Sequence, residues 1–399
     1  MRAYFLARQT ALFGSGIEDV AVAWQVFNVR HSAFDLGLVG LLLFLPQLLL
    51  AVPAGVLADR FDRRLVCVIA TAAEALAIAI FALLAFLHVA NIAAYFAAVA
   101  AIGTTHALRV PAQRALLANI VRSEHYVRAQ SLSSSAQELV SIAAPAFAGV
   151  LIAVGTPLAL AISGAFYAAS AASFARLRPR RRDERIALRA GSALEGIRFI
   201  FKQKVVFGAI SLDLFAVLFG GATALLPVYA TSILHVGPTG FGLLRSAPAV
   251  GAFIVAIAIA RRPIVRNAGR LLFACVAGFG AATIVFGLSR SLPLSLAALA
   301  CVGGFDMVSV VIRSALVQLG TPDAMRGRVN AVENVFIGGS NQLGAFESGT
   351  LAGFSSAPVS VVVGGIATLA IIALWAGIFP ALRAFDRLEA EPEVSPATV

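Results

Sequence analysis

The chain has 399 residues, 60% of them apolar and only 13% charged, with a mean hydropathy of +0.90 and a formal charge of +11. A water-soluble globule carries roughly 45–50% apolar and about 25% charged residues, so that class is excluded. Apolar runs of about twenty residues recur from end to end, each able to cross a hydrocarbon core of about 30 Å as a helix. They lack the alternation that a membrane barrel needs.

Twelve spans are predicted, over 4–29, 35–57, 65–88, 91–117, 126–153, 157–176, 205–232, 239–260, 269–288, 292–317, 327–353 and 358–380. The first begins with positive charge and apolar residues, but Glu18 and Asp19 interrupt it and no small-residue cleavage site follows. It is therefore expected to stay as a helix and not to be a removed signal peptide. Between the sixth and seventh spans lies the one long polar segment. Arg176–Arg189 is an arginine-rich linker; Ser192–Lys204 reads as an amphipathic helix, with Leu194, Ile197, Ile200 and Phe201 on one face and Arg198, Lys202 and Lys204 opposite. Ser192 and Glu195 have capping-box spacing, and such a helix is expected to lie on the anionic inner leaflet. The last residues, from Glu389, are expected to be disordered.

Charge placement orients the chain. Twenty-five of the 31 Lys and Arg residues fall in one set of alternate loops and at the termini; the other set holds only Arg30 and Arg290. By the positive-inside rule both termini and the linker are cytoplasmic. The same pattern explains the net charge without nucleic acid, which is not expected as a partner. Cys67, Cys275 and Cys301 fall inside spans with no metal or redox spacing, as small hydrophobes do. No cofactor or metal is expected. No nucleophile elbow, phosphate loop or zinc motif is present, so an enzyme is not expected.

The halves repeat. Ala115-Leu116 and Arg128-Ala129-Gln130 match Ala315-Leu316 and Arg328-Val329-Asn330 at an offset of 200, and Gly149 then falls on Gly349. Gly40-Leu41-Leu42 and Pro46 match Gly242-Leu243-Leu244 and Pro248 at an offset of 202. Parallel repeats of this kind build two matching bundles.

Gly55-Val-Leu-Ala-Asp-Arg-Phe-Asp-Arg-Arg-Leu65 is a dense charged hinge between the second and third spans. It resembles the signature loop of the major facilitator superfamily, with Asp62 where that signature has glycine. The variant looks like drug and siderophore exporters related to the enterobactin exporter. Leu194–Ile200, Leu225–Tyr229 and Thr321–Val329 resemble further segments of that branch. Ala144-Pro145 and Gly149 keep only part of the exporters' fifth-helix motif. The resemblance implies an all-α polytopic membrane protein of twelve transmembrane helices in two pseudo-symmetric six-helix bundles. The expected organisation is bundle 1–176, cytoplasmic basic linker 177–204, bundle 205–383 and tail 384–399. It also implies that Gly55, Asp59, Arg60, Arg63 and Arg64 form a gate, with Asp59 meeting the N-terminal end of the eleventh helix.

Ionisable groups inside spans cost about 2.5–3.5 kcal/mol each near the bilayer centre unless wetted or protonated. Glu18, Asp19, Glu138, Asp306 and Glu347 are thus candidates for proton coupling, with Glu74 and Asp213 nearer the cytoplasmic side; a structural, hydrogen-bonded role is the alternative for each. The helices that line the cavity in the resembled family make Asp19 and Asp306 preferred. His106 could relay protons. Arg245 is a candidate anion contact. Arg313 shares a face with Asp306 and could bind cargo with it; Arg109, Arg114 and Arg313 could instead snorkel to headgroups. Asn341 and Gln342 could bond a substrate or join helices. Pro46, Pro111, Pro145, Pro227 and Pro248 can bend their helices.

The expected function is secondary active transport at the bacterial inner membrane, by proton-coupled efflux of a small organic molecule, siderophore- or drug-like, through alternating access. The alternatives are an importer of a small organic anion using Arg245 or Arg313, or a non-transporting receptor on the same fold. The expected partners are a small-molecule substrate, protons and the lipid bilayer, with the chain a monomer.

Overall fold

The computed structural model describes residues 2–120, 123–177 and 191–386. In chain order the long helices are α1 (Arg2–Arg30), α2 (Ala33–Arg60), α3 (Arg63–Phe86), α4 (Ile92–Ile120), α5 (Ser123–Val154) and α6 (Thr156–Ala175). The linker helix α7 (Gly191–Lys202) follows. The second set is α8 (Lys204–Ile233), α9 (Gly237–Arg261), α10 (Ala268–Leu288), α11 (Leu292–Leu319), α12 (Asp323–Phe354) and α13 (Ala357–Ile378). Twelve membrane-length helices are therefore present among the described residues. Ten are apolar enough to cross a membrane by composition alone. The other two, α1 and α12, have 29 and 32 residues, roughly 43 and 48 Å at about 1.5 Å per residue. Their composition is diluted by polar residues, among them Glu18, Asp19 and Gln25 in α1 and Glu333, Asn341 and Gln342 in α12.

Local chemistry sets the ends. Ser32 caps α2, its hydroxyl accepting from the Asp35 amide at 3.2 Å. Asp62 caps α3, accepting from the Arg64 amide at 2.8 Å. Short polar residues satisfy the free amides of a helix start in this way, so the aspartate that replaces the signature glycine has a structural use. Pro238, Pro293 and Pro358 open α9, α11 and α13, where proline loses no hydrogen bond. α8 is regular only over Lys204–Phe219; it breaks at Gly220-Gly221 and continues through short 3-10, α and π turns to Ile233. His31, His88 and His235 close α1, α3 and α8 in left-handed geometry. These three scattered histidines are helix stops in short loops.

Within the first half α1 packs on α5 and α6, α2 on α4, and α3 on α4 and α6. The second half repeats the last two patterns: α9 packs on α11, and α10 on α11 and α13. The two six-helix bundles meet along α2 with α12 and α5 with α9. These crossings lie toward one end, carrying the short loops after α1, α3, α5, α8, α10 and α12. It is called here the arginine-poor end; the opposite end carries the termini and α7.

The crossings are made by the repeated glycines. A Cβ on Gly149 would meet the Pro238 carbonyl oxygen at 2.7 Å and Gly242 Cα at 2.9 Å. On the other seam, a Cβ on Gly349 would meet Gly37 Cα at 2.6 Å, and one on Gly40 would meet Ala345 Cβ at 2.9 Å. Ser246 Oγ ties the first seam by donating to the Ile142 carbonyl at 2.8 Å. Small residues allow such backbone contact in a membrane, where packing replaces the hydrophobic effect.

The linker helix docks in part on the second half. Ile200 is buried with Val206, Ile210, Val317, Val329 and Val332 of the second half, while Phe201 of the same apolar face is 61% exposed. Glu195 accepts from Arg328 at 2.6 Å. The Ser192 side chain, the arginines of 178–190 and the tail from 387 lie outside the described residues.

Replacing Gly149 by valine is expected to open the arginine-poor end. Maleimide should label a cysteine placed at Ala23, in a chain freed of its native cysteines, faster than without the valine. Gly377→Ala, which meets nothing within 4 Å, should leave the labelling rate unchanged.

Candidate functional site

A chamber lies between the halves. It consists of two adjoining parts of about 310 and 400 Å³ that share Asp19, Thr223 and Arg245. From α1 come Ser15, Asp19 and Ala23, spaced by one turn and hence on one face. Thr223 comes from the break in α8, and Arg245 from α9. α12 contributes Asn341 and Gln342, α2 contributes Gln47, and α5 contributes Gln137 and Ser141. The rest of the wall is apolar, including Leu12, Leu43, Val140 and Phe241.

The chamber has one closed end. Trp24 of α1 stacks on Phe241 of α9 with ring centroids 5.6 Å apart, and both are buried. Together with the glycine seams, this pair seals the arginine-poor side. Asp19, Gln137, Ser141 and Asn341 are exposed although they lie between the halves, so solvent reaches them from the arginine-rich side. Among the described residues neither Asp19 nor Arg245 has an ion-pair or hydrogen-bond partner. They form a polar acid and base left available on opposing halves.

Inside the first half, away from the chamber, is a buried charge cluster. Arg109 of α4 faces Glu74 of α3 with Nε to Oε2 at 2.5 Å and Nη2 to Oε1 at 3.2 Å. His106, one turn earlier, places Nε2 2.5 Å from Glu74 Oε1 and 3.9 Å from Glu18 Oε1. Tyr167 of α6 donates to Glu18 Oε2 at 2.6 Å, and the Arg109 guanidinium lies over its ring at 5.5 Å. With His106 protonated, two cations meet two carboxylates and the cluster is neutral. The ligand atoms of Glu18, Glu74 and His106 lie within 4.8 Å of one another, a spacing that a metal could use. The Arg109 charge beside Glu74 opposes that use.

The second half has a related cluster. Arg313 of α11 reaches Asp213 Oδ2 of α8 at 3.3 Å and Glu333 Oε1 of α12 at 3.1 Å. Arg109 and Arg313 occupy corresponding helices of the two bundles. Neither snorkels: both are buried and paired within their own half, because a paired guanidinium is less costly there than a lone one.

The candidates therefore separate. Asp19, Arg245, Asn341 and Gln342 come together in the chamber, although Asn341 also donates to the Ile337 carbonyl at 2.9 Å. Glu18 belongs to the buried cluster, with Glu74 and His106. Asp306 lies inside the second bundle. Glu138 is partly buried on α5. Glu347 accepts from its neighbour Ser348 at 3.2 Å. Of the hinge, a Cβ on Gly55 would meet nothing within 4 Å, and Arg64 bonds the Ala175 carbonyl. Arg60 is exposed, and Arg63 is partly buried. The side chains of Asp59 and Arg114 lie outside the described residues. Sequence reasoning missed Tyr167 and Glu333, which become visible only when α6 and α12 are docked.

A family model described as a transmembrane secretion effector matches residues 1–397. The enterobactin exporter EntS of Citrobacter koseri is 26% identical over 399 residues, covering 99% of this chain and 95% of its own. That of Shigella boydii is 27% identical over 388 residues, covering 96% and 92%. Among solved structures, a bacterial homologue of the human lysosomal transporter Spinster, inward-facing and occupied, has a TM-score of 0.73 at 14% identity, covering 96% of this chain and 97% of that one. A bacterial homologue of the iron transporter ferroportin in an inward-facing state has a TM-score of 0.71 at 18% identity, covering 96% and 98%. These structural likenesses show the fold alone.

Arg109→Gln is expected to lower stability by about 3–5 kcal/mol, since it leaves a buried carboxylate without its cation. Adding Glu74→Gln to it should recover part of the loss. Thermal unfolding in detergent reads both, with exposed Arg198→Ala as a control expected within about 0.5 kcal/mol of the parent.

Proposed function

The chain belongs to the transmembrane secretion effector family of the major facilitator superfamily, and we propose that it exports a small organic molecule by proton-coupled alternating access. Membership makes it a multi-pass membrane transporter and not an enzyme. We place it in the inner membrane of a bacterium, as a monomer. The observation that carries the reading is the one-ended chamber with Asp19 and Arg245 in its walls.

Basic residues favour the cytoplasmic side of a bilayer, which puts both termini and α7 in the cytoplasm. The chamber then opens toward the cytoplasm, where an exported molecule is loaded. Apolar walls with a few polar groups suit an amphipathic cargo, siderophore- or drug-like. The similarity to enterobactin exporters supports export and the siderophore class.

Asp19 is the proposed proton carrier. It is the exposed acid in the chamber wall, on the helix face that also carries Ser15 and Ala23. Proton and cargo compete for one site. The halves then pivot, the arginine-rich end closes, and Asp59 meets the positive N-terminal end of α12. Gly55, Arg60, Arg63 and Arg64 complete that proposed gate. The second reading is import of a small organic anion, favoured by Arg245 having no partner in the chamber; Arg313 is excluded from that role by Asp213 and Glu333.

Expression in an efflux-deficient host, screened for resistance and accumulation, identifies cargo and direction. Export is expected to lower accumulation and raise resistance; raised accumulation would favour the importer. Asp19→Asn should cut export about tenfold, within the 1–3 kcal/mol typical of coupling between two sites, at unchanged membrane abundance. Export at the parental level in that variant would overturn the carrier role. Asp59→Asn should also lower transport at equal abundance, and normal transport would defeat the gate. Cargo added to purified protein should release protons into weak buffer.

A further inference from the structure

The second half contains a small, partly open void that neither the chamber nor the ion pairs explain. It has a volume of about 10 Å³, room for one water-sized particle. Three helices surround it: α8 through Asp213, α10 through Val276 and Phe279, and α11 through Phe305, Asp306 and Ser309. The polar groups that line it are thus two carboxyls and one hydroxyl, set in an apolar wall.

Two of these groups lack partners. Ser309 is 3% exposed, and its hydroxyl makes no hydrogen bond. A serine inside a helix commonly donates back to the carbonyl one turn earlier; Ser211 does so to the Phe207 carbonyl at 2.6 Å, and Thr283 to that of Phe279 at 2.9 Å. Ser309 does not, and faces the void. Asp306 has no ion-pair or hydrogen-bond partner among the described residues. Leaving a buried hydroxyl unsatisfied costs about 1–3 kcal/mol; Asp306 is partly buried, and a carboxylate held there without a counter-ion adds to that cost.

The charge balance indicates what completes the site. Arg313 is already shared between Asp213 and Glu333 at 3.3 and 3.1 Å. In the first half, Arg109 and His106 together face two carboxyls. Here a single arginine faces three, and Asp306 is the one it does not reach. A water would satisfy the hydroxyl but not the charge. A proton on Asp306 would remove the charge but leave the void and the hydroxyl. A small monovalent cation does both, and hard oxygen ligands are what such an ion takes. A divalent ion is disfavoured because the arginine already offsets part of the negative charge.

We propose that Asp213, Asp306 and Ser309 form a sodium site inside the second bundle, distinct from the cargo chamber. Bound sodium ties α8 to α11 just below the break at Gly220-Gly221, so its occupancy would bear on the helix that supplies Thr223 to the chamber.

The test uses the purified full chain in detergent and radioactive sodium. Saturable binding of a single ion per chain is expected, competed by unlabelled sodium and not by choline at equal ionic strength. Sodium should also raise the thermal unfolding midpoint. Ser309→Ala and Asp306→Asn should each weaken sodium binding at least tenfold, while Glu18→Gln should leave it unchanged. Both site variants must retain the parental circular dichroism; if Asp306→Asn does not fold, Ser309→Ala alone decides. No saturable binding to the parent, or binding unchanged in a folded Ser309→Ala, would overturn the site. Binding is read without transport, so this failure is separable from failure of the export reading.

Discussion

An ion held in hydrocarbon without water or a counter-ion is costly, and that constraint sorts nearly every polar residue of this chain. Glu18, Glu74, His106, Arg109 and Tyr167 answer it by closing on one another inside the first bundle. Arg313 answers it with Asp213 and Glu333 in the second. Asp19 and Arg245 answer it with solvent, between the halves. Each bundle thereby has its own internal polar staple; of the ionisable groups left without a partner among the described residues, Asp19 and Arg245 lie where the bundles separate and Asp306 lies inside the second bundle.

Rigid halves need a surface on which to pivot. The seams of α2 with α12 and α5 with α9 provide it through Gly37, Gly40, Gly149, Gly242 and Gly349, which bring backbones into contact without interlocking side chains. Such a contact is tight but smooth. It can part with little loss of specific packing, whereas the polar staples inside each half cannot. The Trp24–Phe241 stack adds apolar closure above the chamber. Motion at the seams with stiffness within the bundles is the mechanical division that alternating access requires.

Much of the fold was legible because its signals are local or periodic. Membrane spans announce themselves by length and apolarity, and the predicted ends fall within a few residues of α1 through α13. The repeat offsets picked out Gly149 with Gly349 and Gly40 with Gly242 before their shared use as crossing points was visible. Asp19 and Arg245 could be named as candidates because charge inside a span always demands a reason. What was not legible depends on how helices rotate against one another. Glu18 and Asp19 are adjacent in sequence, yet one is buried in a bundle and the other wetted in the chamber. Arg109 and Arg313 look like snorkelling residues until α3, α8 and α12 bring acids to them. Tyr167 and Glu333 carry no signal of their own, and the docking of α7 on the second half depends on Val317, Val329 and Val332 far along the chain.

The most direct measurement is of distances across the two ends of one molecule. Spin labels at Leu87 and Arg290 span the arginine-poor end, and labels at Phe61 and Arg266 span the arginine-rich end; all four positions are exposed. Pulsed electron-spin distances on the full chain in lipid nanodiscs, across a pH series, should show two populations. When the first pair lengthens, the second should shorten. Both pairs changing in the same sense, or both staying fixed under conditions in which transport runs, would contradict two rigid halves pivoting on glycine seams.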